Sequence, residues 1–315
     1  MRVITDLDAI RPADYPEGSS VAIGKFDGLH LGHQAILRTL VEGARAAGHP
    51  AVVLTFANNP LSLLRPERCP QPLMSRAQRL EGFAGAGVDD CVMIDFDETV
   101  AAIPADDFVR DVLIGGLRAR HVIMGANFRF GAGGAGDGAL LEALGERYGF
   151  TAQQLDLVAA GGAGQASSSR VRDAVLAGDV DAAASMLGRA PVVRGEVVHG
   201  DARGREIGFP TANVGGEIEG LVPADGVYAG WVVIGDGEAD PRPAAISVGN
   251  NPTFTPEGRS RVEAFLLDFS GELYGQRIEV RFAHRLRGME RYDSLEALLE
   301  QMRADVTRTR EMLAR

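Results

Sequence analysis

Lysine is almost absent from this chain: among 315 residues Lys25 is the only one, and the remaining basic charge is arginine. A Walker A loop requires a lysine followed by serine or threonine. Lys25 is followed by Phe26, which excludes P-loop phosphate chemistry. Cysteine is scarce as well. Cys69 and Cys91 show no metal-ligand spacing and no framework of pairs, so both read as reduced thiols. No apolar run reaches the roughly 18 residues that a membrane helix needs. Positive charge is in deficit: 32 Lys and Arg against 43 Asp and Glu leave a formal charge of −11. That balance disfavours broad electrostatic capture of nucleic acid or an anionic membrane, while a locally basic pocket can still take small anions. The stretch MRVITDLDAIRPADYP carries acids and prolines in place of an apolar core, so no secretory signal is expected and the location reads as cytoplasmic.

What is present is an ordinary globular composition, long enough to favour two domains over one. From Ser19 to about Met186, short apolar runs alternate with helical patterns. The runs VAIGKF, AVVLTF, CVMIDF, HVIMG and AQQLDLV begin at Val21, Ala51, Cys91, His121 and Ala152. Helical candidates lie at 33–47, 75–86, 104–117 and 138–148, with two shorter ones at 168–177 and 180–187. Such alternation predicts a parallel sheet with helices on both faces. After LGRAPVVRG the pattern turns to strands separated by Gly, Pro and Asn: VVRGEVV, GVYAGWVVI, AAISVG, RVEAFLLDF and QRIEVRFAH. Strands in succession predict an antiparallel sheet or small barrel. A final helix at 294–313 carries Leu295, Leu298, Leu299 and Met302 at helical spacing. The boundary is expected near Gly188, giving domains 1–187 and 188–315.

The first strand runs into Gly24-Lys25-Phe26-Asp27-Gly28-Leu29-His30-Leu31-Gly32-His33 and then a helix. Ligands of open α/β sheets sit beyond the carboxyl ends of strands. Gly24, Gly28 and Gly32 allow close backbone approach to a phosphate chain, and the helix start offers unpaired N–H groups. His30 and His33, three apart, can point at one anion, which suits charge stabilisation at the α-phosphate of ATP. A metal pair or two surface histidines are the alternatives. Near the end of this half, Ser167, Ser168 and Ser169 precede a helix with Arg172 one turn on. They could hold departing phosphates or merely cap the helix.

GKFDGLHLGHQ resembles the HxGH signature of the nucleotidyltransferase superfamily, in the form found in bacterial bifunctional riboflavin kinase/FMN adenylyltransferases. TFANNP at Thr55 is similar to that family's FxPxP loop, VIMGANFRFG at Val122 to its nucleotide and flavin segment, and ASSSRVR at Ala166 to its serine-arginine motif. The resemblance implies a Rossmann-like α/β domain in which Gly24, Phe26, Asp27, Gly28, Ser167, Ser168 and Ser169 bind the nucleotide. It implies His30, His33 and Arg172 as catalytic residues and Asn59, Asn127 and Phe128 at the flavin. Three positions depart from the family pattern. Asn58 stands where proline is usual, Ala57 where an acid is common, and Gly134 at a variable position. The first is expected to loosen the flavin-side loop.

In the second half, GREIGFPTAN from Gly204 to Asn213 resembles the riboflavin kinase signature, with Gly204, Gly208 and Pro210 shaping a loop over the nucleotide. Thr211 and Asn213 are alternate residues and face one side in extended chain, as oxygen ligands suited to Mg²⁺ and phosphates. Alternation puts Glu263 on a face with Phe265 and Leu267, where partial burial would favour proton acceptance; an edge strand with Glu263 in water is the other reading. GNNPTF at Gly249 and DFSGELYG at Asp268 also match the family's spacing. The resemblance implies a small antiparallel β-barrel with a C-terminal helix, in which Glu263 accepts the ribityl hydroxyl proton. The implied reactions convert riboflavin to FMN and FMN to FAD, each with ATP. A chain keeping one activity, an HxGH enzyme for another acceptor and a flavin-binding regulator remain the rivals.

Overall fold

The computed structural model describes residues 1–156, 165–200, 204, 208–235, 240–249 and 261–314. By contacts these divide into two compact units, Met1–Ser167 and Ser168–Arg315. The first holds a six-stranded sheet built from β1 (Arg2–Ile4), β2 (Ser19–Ile23), β3 (Ala51–Phe56), β4 (Asp90–Ile94), β5 (Ala119–Gly125) and β6 (Thr151–Leu155). Every pairing is parallel, in the order β1-β4-β3-β2-β5-β6. Strands covered on both faces should be continuously apolar, and β2 and β4 are buried at every residue.

Alternation then sorts the side chains. Val21, Ile23, Val52, Leu54, Val92 and Met124 face one core with Phe108, Val109, Leu113 and Leu141. Ala22, Val53, Cys91, Met93 and Ile123 face the other with Leu37, Leu40, Val41 and Phe83. The first set is covered by helices Phe108–Gly116 and Gly138–Tyr148, the second by Leu31–Ala47 and Arg76–Gly85. The Phe108–Gly116 segment is wound as a π-helix, with Leu117 N–H bonded to Val112 O, and so departs from the regular helix expected over 104–117. β2, β3 and β4 step outward in one direction, and the chain then returns to lay β5 against the opposite side of β2. This reversal opens a crevice at the carboxyl ends of β2 and β5.

The second unit is a closed antiparallel barrel of β7 (Val192–Val198), β8 (Ala212–Glu219), β9 (Gly226–Ile234), β10 (Arg242–Gly249), β11 (Arg261–Leu266) and β12 (Arg277–Arg287), ordered β10-β11-β8-β7-β12-β9. Its interior takes alternate residues of each strand, among them Val262, Ala264 and Leu266 of β11 and Ile278, Val280 and Phe282 of β12. The short helices Ser168–Ala177 and Val180–Leu187 belong with the barrel by contact. Val180 joins the barrel core, and Asp181 sits 2.6 Å from the His284 ring. The contact division therefore falls about 20 residues before the boundary expected at Gly188.

The helix Leu295–Leu313 docks differently from its expected apolar stripe. Leu295 is 56% exposed, whereas Asp305 and Thr309 are its buried residues. A bidentate Asp305–Arg287 pair, with bonds of 2.7–3.2 Å, fastens it to β12, and Met312 and Leu313 pack on Val227, Ala229 and Leu286. No helix among the described residues is long and apolar enough to cross a membrane.

Candidate active sites

The loop leaving β2 is held under compulsion. Phe26 and Leu29 are buried at positive φ (51° and 45°), a region that branched and bulky residues enter only when surroundings impose it. Phe26 meets Phe83 edge-on at 5.6 Å and the His33 ring at 5.2 Å. Asp27 accepts the Leu73 N–H at 2.9 Å. Gly28 lies at φ 88°, where a side chain is strained, and a Cβ there would fall 2.6 Å from Leu73 Cδ1, which would have to move.

His30 and His33 are stacked, with ring centroids 3.8 Å apart and planes 22° from parallel. His30 is buried and occupies the N-cap of the Leu31–Ala47 helix without bonding that helix's N–H groups through its side chain. A helix start left without a side-chain cap attracts an anion. Burial first, and His30 second, hold the His33 imidazole well below its usual pKa, which favours the neutral ring. Gly32 gives the His30 ring room: a Cβ there would lie 3.1 Å from His30 Cε1. Gly24 similarly makes room for the Phe26 ring.

On the other side of the crevice, β5 ends in a turn where Phe128 N–H bonds Gly125 O at 3.0 Å. Phe128 packs on the first core and Asn127 is exposed. Beyond β3, Asn59 accepts the Leu61 N–H and starts the short helix Leu61–Leu64 behind Pro60. Asn58 does not loosen this loop. Its amide accepts Phe96 N–H at 2.7 Å and donates to Phe96 O at 3.1 Å, a side-chain clamp that replaces the rigidity of proline. Gly134 lies at φ 68° in a turn closed by its N–H to Gly131 O.

Ser167 ends the first unit, and Ser168 and Ser169 begin the helix Ser168–Ala177 of the second. Arg172 is buried in that helix, its guanidinium 3.4 Å from Ser168 O.

In the barrel, β11 pairs with β8 so that Glu263 stands opposite Asn213. The Thr211 hydroxyl lies 3.4 Å from Glu263 Oε2, and the Asn213 amide 3.4 Å from Thr211 O. All three side chains are partly buried on the outer side of strands whose inward residues fill the core. Phe265 continues that outer face, its ring 5.2 Å from Phe209. Gly204 and Gly208 flank the loop before Thr211. Gly208 has φ 84°, and Gly204 O accepts Phe209 N–H at 2.7 Å; Pro210 is exposed. Gly200 was not singled out in sequence, yet a Cβ there would meet the Asn213 amide at 2.6 Å. Arg205, Glu206 and Ile207, the GNNPTF run after Gly249, and the glycine-rich 157–164 lie outside the described residues.

A parallel sheet with paired histidines at its switch point, followed by a barrel presenting Thr, Asn and Glu together, defines a nucleotidyltransferase of the HxGH class joined to a flavokinase-type barrel. The family model for FAD synthetase matches residues 13–170 and that for riboflavin kinase residues 187–313. The chain belongs to the bifunctional riboflavin kinase/FMN adenylyltransferase family. It is 38% identical over 295 residues to the member from Escherichia coli K12, covering 94% of this chain and 93% of that one. The Pseudomonas fluorescens member is 37% identical over 314 residues, covering 100% and 98%, and that of Bacillus subtilis 32% over 300, covering 91% and 90%. A crystal structure described as a macrolide-efflux protein from Streptococcus pneumoniae matches with TM-score 0.86 and 32% identity, covering 98% of each chain.

Proposed function

We propose that the chain makes FAD from riboflavin in two ATP-dependent steps, phosphorylation on the barrel and adenylyl transfer at the histidine pair. Membership of the family supports both activities, and the cluster of Thr211, Asn213 and Glu263 is the observation that carries the kinase step. In that step Glu263 accepts the proton of the ribityl 5′-hydroxyl as its oxygen attacks the γ-phosphorus of ATP, and ADP leaves. Thr211 and Asn213, oxygen donors beside a carboxylate, fit Mg²⁺ held jointly with substrate phosphates. The ion would neutralise phosphate charge there. Gly204, Gly208 and Pro210 shape the loop that covers the nucleotide.

For adenylyl transfer, a phosphate oxygen of FMN attacks the α-phosphorus of ATP and pyrophosphate leaves. FMN is already anionic, so no base is needed. His30 and His33 donate to the oxygens that gather charge, and one such donor is worth about 3 kcal/mol. Gly24, Phe26, Asp27 and Gly28 set the loop that receives ATP; Asn59, Asn127 and Phe128 receive the flavin. Ser167, Ser168, Ser169 and Arg172 hold the leaving pyrophosphate, a role that rests on the motif. With its substrate ATP, the enzyme is placed in the cytoplasm.

The test is incubation of the full chain with riboflavin, ATP and Mg²⁺, with products separated by chromatography. FMN and FAD should both form; Glu263→Gln should abolish FMN formation while still converting supplied FMN to FAD, and His30→Ala should do the reverse. Riboflavin recovered unchanged from the unaltered chain would sink the reading.

A further inference from the structure

Arg79 is only 6% exposed and takes part in no ion pair among the described residues. A buried cation is costly unless it is fully hydrogen-bonded, and Arg79 spends its guanidinium on main-chain carbonyls. It donates to Lys25 O at 3.0 Å, Phe56 O at 2.6 Å and Ala57 O at 3.2 Å. Lys25 lies in the loop that follows β2, before the histidine pair. Phe56 and Ala57 end β3 and open the loop clamped by Asn58. The Thr55 hydroxyl also donates to Lys25 O, at 3.2 Å.

The helix bearing Arg79 is built to serve that contact. A capping box, Ser75 with Gln78, fixes its start. Phe83, one turn after Arg79, meets Phe26, and Phe26 meets His33. Gly82 lets the buried Leu29 approach where a Cβ would fall 2.2 Å from Leu29 Cδ1. One face of one helix thus supports the backbone on both sides of the ATP loop and reaches across to its neighbour.

We infer that Arg79 is a positioning residue for adenylyl transfer, fixing the nucleotide-side loop after β2 and the flavin-side loop after β3 in one register. The inference rests on the adenylyltransferase reading above. Its planar fork spans three carbonyls; a lysine ammonium cannot do so from one point. Loss of the fork lets both loops shift together, so the Michaelis constants for ATP and FMN rise together.

The experiment uses the full chain carrying Arg79→Met or Arg79→Lys, with steady-state kinetics of both reactions and circular dichroism melting. Arg79→Met should lower kcat/KM for FAD formation about 30-fold through raised KM for both substrates, since sub-ångström misplacement weakens a positioned reaction. Riboflavin phosphorylation, carried by the other unit, should stay within about twofold, because Arg79 and all its contacts lie in the first unit. Arg79→Lys should recover part of the loss. Unchanged KM values, with any fall in rate following the folded fraction, would overturn the inference; if Arg79→Met does not fold, Arg79→Lys decides by the same criterion. An unaltered chain that forms no FAD would overturn the adenylyltransferase reading, and the role of Arg79 with it.

Discussion

Replacing Gly32 by alanine should separate stability from catalysis, because the two effects act on different atoms. Gly32 lies in the first turn of the Leu31–Ala47 helix, where alanine is the better helix former by up to about 1 kcal/mol. Its backbone is not at positive φ, so the substitution brings no torsional strain. The new methyl would stand 3.1 Å from His30 Cε1 and 3.2 Å from Nδ1, closer than an ordinary van der Waals contact. The His30 ring must move by a few tenths of an ångström, and it is stacked at 3.8 Å on His33, so the pair changes geometry as a whole. A displacement of that size should cost about tenfold in FAD formation, given the steep dependence of rate on alignment. The assay is FAD production from supplied FMN and ATP, with riboflavin phosphorylation and thermal melting measured on the same preparation. Gly32→Ala should melt at or above the temperature of the unaltered chain, phosphorylate riboflavin normally and adenylylate slowly. Full adenylylation, or a loss that accompanies lower stability, would refute the account of Gly32.

Further outcomes follow from the same structure. Because burial lowers the His33 pKa, the unfolded chain binds a proton below pH 6.5 that the folded chain refuses. Stability attributable to His33 is therefore intact above pH 6.5 and falls below it, by at most about 1.4 kcal/mol per pH unit, until the folded pKa is passed. Urea unfolding at pH 7.5 and 5.5, roughly a unit either side of the ordinary histidine pKa, should show a smaller acid loss for His33→Gln; equal losses would contradict it. Asn58→Ala removes both bonds to the Phe96 backbone and should raise the KM for FMN several-fold, about 1 kcal/mol, leaving that for riboflavin alone. Asp305→Ala leaves the largely buried Arg287 cation without its partner and should destabilise the barrel by about 3 kcal/mol, read by thermal unfolding; a shift below about 1 kcal/mol would mean the pair is not what fastens the helix.

The legible parts of the fold were those written in contiguous residues. β2, β3 and β4 are short, mostly apolar runs, and they can be buried only by helices on both faces. β8 was not legible: Gly215 and Gly216 interrupt it, and it holds its place by pairing with β7 before it and with β11, a strand far along the chain. The π winding over Phe108–Gly116 and the polar docking of the last helix likewise depend on tertiary partners. At the sites, the histidine pair and the Thr–Asn–Glu group could be read because side chains carry that chemistry. Arg79 could not, because its partners are main-chain carbonyls, which every residue has, and one methionine sulfur. Only the topology that stands β2 beside β3 brings Lys25, Phe56 and Ala57 within its reach.

That near-absence of lysine has a practical side. Lys25 is exposed at the exit of β2, next to the loop proposed to receive ATP, and desolvation lowers its ammonium below the usual lysine range. It is the only side-chain amine in 315 residues. Amine-directed acylating reagents therefore meet one side-chain target, already placed at the entrance to the crevice. Lys25 is thus a side-chain reporter that needs no introduced residue, and a change in its labelling rate on adding ATP would test whether nucleotide binds beside it.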